Sequence, residues 1–118
     1  MDGCIFCMIV KGEIPARKVL EDDLIVAFDD IAPQAPVHTL IVSREHHAHI
    51  GDDVPEVLRS AMMAAVPRVA EAKGIASSGY RTIINTGPDA QQSVHHLHVH
   101  VMGGRRMAAG MVSFEKGR

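Results

Sequence analysis

At 118 residues the chain has room for one domain, 1–118, because a domain ordinarily takes ~100–200 residues. Its 47% hydrophobic and 22% charged residues are a globular balance and exclude a disordered, collagenous or acidic-tail class. A net charge of -2, no Trp and only four aromatic residues (Phe6, Phe28, Tyr80 and Phe114) exclude a non-specific nucleic-acid binder, which needs a basic stripe and stacking platforms. Small solutes are the expected partners.

The first apolar run, 4–10, follows Asp2 rather than a basic stretch and is too short for a signal sequence or a membrane span, so a cytoplasmic protein is expected. It reads as a short helix closed by Gly12. Cys4 and Cys7 within it form C-x-x-C, which suggests reduced thiols, a redox pair or half a zinc site rather than a structural disulfide. Residues 17–20 and 24–28 read as a hairpin around Glu21, Asp22 and Asp23. A proline-containing loop over 29–36 leads to a third strand at 38–43, then to a histidine-rich connection at 44–53. Asp53 and Glu56 form a D-x-x-E capping signal. The apolar positions that follow recur at helical spacing up to Gly74, and Pro67 predicts a kink near 63–66. Strands are expected at 80–85 and 94–102, separated by a loop at 86–91, with Gly103 and Gly104 stopping the second. This order predicts an α+β fold, a five-stranded antiparallel sheet with a short N-terminal helix and one long helix gathered on one face.

Seven of the eight histidines fall into two clusters: His46, His47 and His49, then His95, His96, His98 and His100. In the run H-L-H-V-H-V-M at 96–102, strand alternation sends His96, His98 and His100 to one face and Leu97, Val99 and Val101 to the other. Adjacent imidazoles would stand ~6.6 Å apart at Cα and the outer two ~13 Å, so two could share a metal but three could not. Exposed strands ordinarily carry Thr, Lys or Glu, so simple amphipathicity does not explain three alternating imidazoles. Near neutral pH an imidazole nitrogen serves as nucleophile, proton donor or metal ligand. Like charges a few ångströms apart disfavour protonation, so at least the central ring, His98, is expected to be neutral at pH 7.

The segment Q-S-V-H-H-L-H-V-H-V-M-G-G-R at 92–105 resembles the signature of the histidine-triad (HIT) family, H-φ-H-φ-H-φ-φ with φ apolar. The likeness extends to C-I-F-C-M-I-V-K-G-E-I-P at 4–15, E-D-D at 21–23, A-F-D-D-I-A-P-Q-A-P-V-H at 27–38, and the strand at 80–85 with Gly87 after it. Gln92-Ser93 before the triad and Gly103-Gly104-Arg105 after it resemble the Hint branch, whereas the Fhit-like branch usually has Gln-Thr and Pro-Arg there.

That resemblance implies a HIT-like fold paired as a homodimer. The implied activity is a hydrolase acting on purine nucleoside phosphoramidates (AMP or GMP and their amine conjugates) and on aminoacyl-adenylate-like compounds. By position, His98 matches the nucleophile that forms a nucleotidyl-histidine. His96, His100 and His38 match its supporting histidines, and Ser93 matches the hydroxyl that helps the amine depart. Asn85, Gln92 and the Val94 N–H match phosphate contacts. Asp30 matches the ribose-binding carboxylate, and Ile5, Phe6, Ile9, Phe28 and Ile31 match the apolar walls around a purine. Without the resemblance, Phe6 and Phe28 read as core residues, Asp30 as a solvated turn residue and Asn85 as a turn former. The chemistry needs no metal, since splitting hydrolysis into two displacements lets a nitrogen nucleophile replace water in the difficult step.

In some members of the family a C-x-x-C at this place binds zinc with two histidines, and the matching positions are Cys4, Cys7, His46 and His96. The other reading is buried reduced cysteines with a solvated His46. Gln91 stands where the family commonly has Gly, His95 replaces the usual aromatic, and the tail 107–118 lacks the aromatic, proline-rich ending of animal Hint proteins. Other functional readings are a Fhit-like dinucleoside polyphosphate hydrolase and a nucleotide-binding module with little turnover.

Overall fold

Residues 25–28 (I-V-A-F) and 40–42 (L-I-V) are continuous apolar runs, the pattern of strands covered on both faces rather than one. The computed structural model describes residues 3–116 and bears this out; Met1, Asp2 and the last two tail positions, Gly117 and Arg118, lie outside the described residues. Its elements are α1 (Ile5–Val10), β1 (Lys18–Glu21), β2 (Ile25–Asp29), β3 (Val37–Ser43), α2 (Glu56–Ala72), β4 (Tyr80–Ile83) and β5 (His98–Gly103). The strands form one antiparallel sheet in the order β1-β2-β3-β5-β4. Among the described residues, no helix is long and apolar enough to cross a membrane.

Side-chain alternation divides the core. Ile25, Ala27, Ile41, Val99 and Val101 pack against Leu58, Met62, Ala65 and Val69 of α2. Val26, Phe28, Leu40 and Val42 point the other way and meet Phe6 and Ile9 of α1. The two helices therefore lie on opposite faces, not together on one face as the element order suggested. The unbroken apolar runs of β2 and β3 are the physical reason, because each face needs its own cover.

Helix α2 also departs from expectation at its start. Pro55 is the N-cap and makes no side-chain capping bond, while Asp53 sits in the left-handed region at φ 45°. The residue before a proline is biased away from helical backbone, which delays the first turn and leaves Asp53 outside it, while Glu56 opens the helix. Further along, the helix runs through Pro67 as one element. Pro67 and Met63, whose carbonyl loses the proline's hydrogen bond, are both exposed, so water can take the unpaired group.

β4 ends two residues earlier than expected, and β5 starts four residues later. At the head of β5 the shorter bond is to a loop: the Leu97 N–H donates to the His47 carbonyl at 2.7 Å, and β3 reaches Leu97 only through a long bond of 3.5 Å from the Ser43 N–H to its carbonyl. Gly103 stays inside the ladder opposite Tyr80 and Val37, and a Cβ there would meet the Gly79 carbonyl at 2.9 Å. The turn falls at Gly104, at φ 94°.

In the loop before β5, Gln91 is held at φ 60°, a conformation that costs a residue with a Cβ of order 1 kcal/mol or more. Gln91→Gly relieves that strain and pays part of it back as chain entropy, so a net stabilisation of about 0.5–1 kcal/mol is expected. A urea midpoint shifted upward with an unchanged slope is the reading that checks it.

Candidate active site

Strand register assembles the site. β3 and β5 pair with Val42 opposite His98 and Leu40 opposite His100, so both histidines share the face that carries α1. Leu97, Val99 and Val101 take the other face and are fully buried under α2, as alternation requires. His38 lies on the histidine face of β3, diagonal to His100, and its Nε2 is 2.8 Å from His100 Nδ1. The ring centroids of His98 and His100 are 5.0 Å apart.

The hydrogen bonds determine where the ring protons sit. The Gln34 N–H donates to His38 Nδ1 at 3.0 Å, so a neutral His38 carries its proton on Nε2 and gives it to His100 Nδ1. A neutral His100 is then protonated on Nε2. His98 is set independently: a carbonyl can only accept, so Nδ1–H of His98 donates to the His96 carbonyl at 2.6 Å. Its Nε2 is left with a free lone pair. The Phe6 ring packs against the His98 ring in a T-shaped arrangement at a centroid distance of 5.0 Å.

Burial keeps these rings neutral. It pushes His98 below the ordinary imidazole range, with the hydrogen bond to His96 and the charge of Asp30 opposing it. Burial likewise lowers His38 against Asp30, and it brings His100 down to about 4 with help from His98 and His38. His96 falls to about 4, again mainly through burial. A neutral central histidine was expected from mutual repulsion, but at His98 the lowering comes from desolvation.

The same lowering makes stability depend on pH. The unfolded chain protonates His100 near 6.5 and the folded chain near 4, so the unfolded state binds more protons between these values. The contribution of His100 is complete above pH 6.5 and is lost as pH falls toward 4. Allowing for partial solvent screening, it amounts to about 2 kcal/mol. Urea unfolding at pH 7 and pH 5 should show this loss, with a shallower pH slope in His100→Gln.

The remaining site residues are placed unevenly. Asp30 accepts the Ala32 N–H on Oδ1 at 2.9 Å and sets Oδ2 3.5 Å from His38 Nε2. The neighbouring Asp29 is neutralised by Lys73 Nζ at 2.9 Å and the Thr39 hydroxyl at 3.0 Å, so Asp30 is the carboxylate left available. Ile31 is 90% exposed beside it. Phe6, Ile9 and Phe28 are buried in the core next to the histidines, while Ile5 is exposed. Ser93 and Val94 line an open, mostly apolar groove of about 600 Å³ with Ile5, Cys4 and His46. Asn85 lies past the end of β4, half-buried and with no partner among the described residues. Gln92 is engaged at both ends of its amide: Oε1 accepts the Gly87 N–H, and Nε2 donates to the Ala48 and Val94 carbonyls. Its side chain therefore holds the loop rather than standing free toward a ligand. His95 is exposed.

The second convergence is at Cys4, Cys7, His46 and His96, whose Sγ and Nδ1 atoms all lie within 4.8 Å of one another. His96 Nδ1 is 3.3 Å from Cys4 Sγ, 3.5 Å from Cys7 Sγ and 3.2 Å from His46 Nδ1, and Cys7 Sγ is 3.3 Å from His46 Nδ1. Tetrahedral zinc with bonds of ~2.3 Å to sulfur and ~2.0–2.1 Å to nitrogen spaces its ligands ~3.3–3.8 Å apart, so the four donors fit it. His96 Nε2–H donates to the Ser43 carbonyl at 2.7 Å, which leaves Nδ1 as a lone pair facing the cluster. His46 is half-buried, not solvated as the metal-free reading had it.

Several participants were invisible in the sequence. The Gln34 N–H and the Ser43 and His96 carbonyls are backbone groups without a residue signature. His47, buried with Nδ1 3.1 Å from the Asp52 carbonyl, had only its membership of a histidine cluster to mark it.

The model of the HIT domain family matches residues 11–107. The protein HitA of Neisseria gonorrhoeae is 46% identical over 105 residues, covering 87% of this chain and 97% of that protein. A purine nucleoside phosphoramidase of Escherichia coli is 41% identical over 112 residues, 86% and 87% of the two chains. Among solved structures, a HIT family hydrolase from Clostridium thermocellum superposes with a TM-score of 0.89 at 40% identity, covering 95% of this chain and 99% of its own. With a family model over most of its length, close relatives and a shared fold, this chain belongs to the HIT family.

Proposed function

We propose that the protein is a hydrolase that cleaves the P–N bond of purine nucleoside 5'-phosphoramidates, conjugates of AMP or GMP, and of aminoacyl-adenylate-like compounds. It would act in the cytoplasm as a homodimer. The observation that carries this reading is the state of His98, a ring with Nδ1–H tied to the His96 carbonyl and Nε2 free. Burial lowers its proton affinity as well. A purine nucleoside phosphoramidase among the relatives supports the substrate class.

In this mechanism His98 Nε2 attacks the α-phosphorus, the P–N bond breaks, and the amine leaves with a proton while the nucleotidyl group stays on His98. Water then attacks phosphorus and releases the nucleotide. His100 Nε2–H, aligned by His38 and the Gln34 N–H, donates to a phosphate oxygen. Ser93 serves the departing nitrogen, and proton transfer placed this way contributes ~10²–10⁴ in rate. Asp30 binds the ribose hydroxyls. Ile5 and Ile31 face the purine over the buried Phe6, Ile9 and Phe28. Asn85 and the Val94 N–H reach the phosphate from a loop that Gln92 holds in shape. Cys4, Cys7, His46 and His96 would hold a structural zinc, which would tie α1 to the segment before β5 and take no part in bond breaking.

Comparing kcat/KM for adenosine 5'-phosphoramidate and a diadenosine polyphosphate tests the reading. The phosphoramidate should be strongly preferred. Preference for the polyphosphate, or nucleotide binding without amine release, would overturn it.

A further inference from the structure

His96 occupies two networks at once. Its ring nitrogens face Ser43 and the Cys4–Cys7–His46 donors, while its main-chain oxygen is the acceptor that holds His98 Nδ1–H at 2.6 Å. Yet His96 lies outside the β5 ladder, which begins at His98, so sheet pairing does not fix its carbonyl. What holds this backbone is the ring itself and two bonds at the next residue, Leu97 N–H to the His47 carbonyl at 2.7 Å and the longer Ser43 N–H to the Leu97 carbonyl at 3.5 Å. A second contact runs in parallel: Phe6, between the two cysteines on α1, packs its ring against both His96 and His98, with centroids 5.9 and 5.0 Å away.

We propose that the Cys4–Cys7–His46–His96 cluster is a positioning device for the nucleophile, in which zinc bound by the four donors fixes the His96 main chain and thereby the tautomer and aim of His98. The inference rests on the reading of His98 as nucleophile given above and adds a task for three residues, Cys4, Cys7 and His46, that do not touch the substrate. With zinc in place, His96 is anchored at both ring nitrogens and its carbonyl is a stationary acceptor. Without it, α1 is joined to this segment by the Phe6 ring contacts and by thiol and imidazole hydrogen bonds, and bonds to sulfur are weak. The acceptor then wanders, and His98 can place its proton on either nitrogen. Loss of a group that orients a reactive residue ordinarily costs 10–100-fold, and a misplacement of ~1 Å costs about 100-fold. The loss should fall mainly on kcat, because Asp30 and Ile31, just past the end of β2, line a different pocket from the groove of Cys4 and His46, and of the proposed purine and ribose contacts only Ile5 lines that groove.

The test compares zinc-loaded wild type, the same protein stripped with a chelator, and Cys7→Ser, all at pH 7. Long-range ¹⁵N–¹H correlation of the imidazoles reads the His98 tautomer alongside kcat and KM. The expected result is one Nδ1–H tautomer with zinc, and mixed or exchange-broadened signals without it. kcat should fall 10–100-fold at nearly constant KM, and adding zinc back to the stripped wild type should restore both readings. An unchanged tautomer and kcat after stripping would overturn the proposal. So would failure of the reduced protein to bind zinc, or global unfolding on stripping, which would make the cluster a fold element only. Should zinc control the tautomer in a protein that hydrolyses no phosphoramidate, the coupling stands and the proposed activity falls.

Discussion

His98→Ala is expected to lower phosphoramidate turnover by ~10⁴-fold or more while AMP affinity, read by calorimetry, changes only a few-fold. The size follows from the role assigned to Nε2. If that nitrogen forms the bond to phosphorus, no neighbouring group can replace it. His100 Nδ1 is engaged by His38 and, in the neutral ring, its Nε2 carries a proton. His96 has one nitrogen on the Ser43 carbonyl and the other in the cysteine cluster. Affinity should survive because the proposed nucleotide contacts, Asp30 and the apolar residues of α1 and β2, do not depend on the imidazole. A loss of only tenfold would mean that water attacks directly, with His98 as a general base.

Ile41→Ala is expected to have the opposite signature, a loss of ~3 kcal/mol of stability with little change in kcat well below the melting temperature. Ile41 is fully buried opposite Val99, on the face covered by α2. Truncating such a side chain removes its transfer energy and leaves a cavity, which typically costs 2–5 kcal/mol. For a domain of this length that corresponds to a melting temperature lower by roughly 10 °C. The site histidines sit on the other face beside Leu40 and Val42, so the cavity opens away from them. Thermal melts and initial rates on the same preparation separate the two effects. An equal loss in kcat at 20 °C would show that the two faces of the sheet are not independent.

The particular residues explain what was legible in advance. The strict H-L-H-V-H-V alternation at 96–101 announced both the apolar face and the histidine face, because the period of a strand is a property of backbone geometry alone. The spacing of Cys4 and Cys7 marked a pair of thiols, but only the fold brings His46 and His96 to them from 39 and 92 residues away. The side on which each helix packs was misread from element order, although the unbroken apolar run at 25–28 held the information. Two assignments failed for local reasons: Pro55 displaced the helix start that Asp53 and Glu56 advertised, and a loop carbonyl took the N–H of Leu97, leaving only a long bond to β3 there. The proton positions were out of reach, since they depend on Gln34, Ser43 and His96 backbone groups that any residue type could supply.

The most direct measurement is to mix the enzyme with excess adenosine 5'-phosphoramidate, quench in alkali within the first turnovers, and map the modified peptide by electron-transfer fragmentation. A single adenylyl group on His98, formed and lost at rates compatible with kcat, is the predicted result. An adenylyl group on His96, His100 or Ser93, or steady turnover with no labelled protein in wild type and undiminished turnover in His98→Ala, would contradict it.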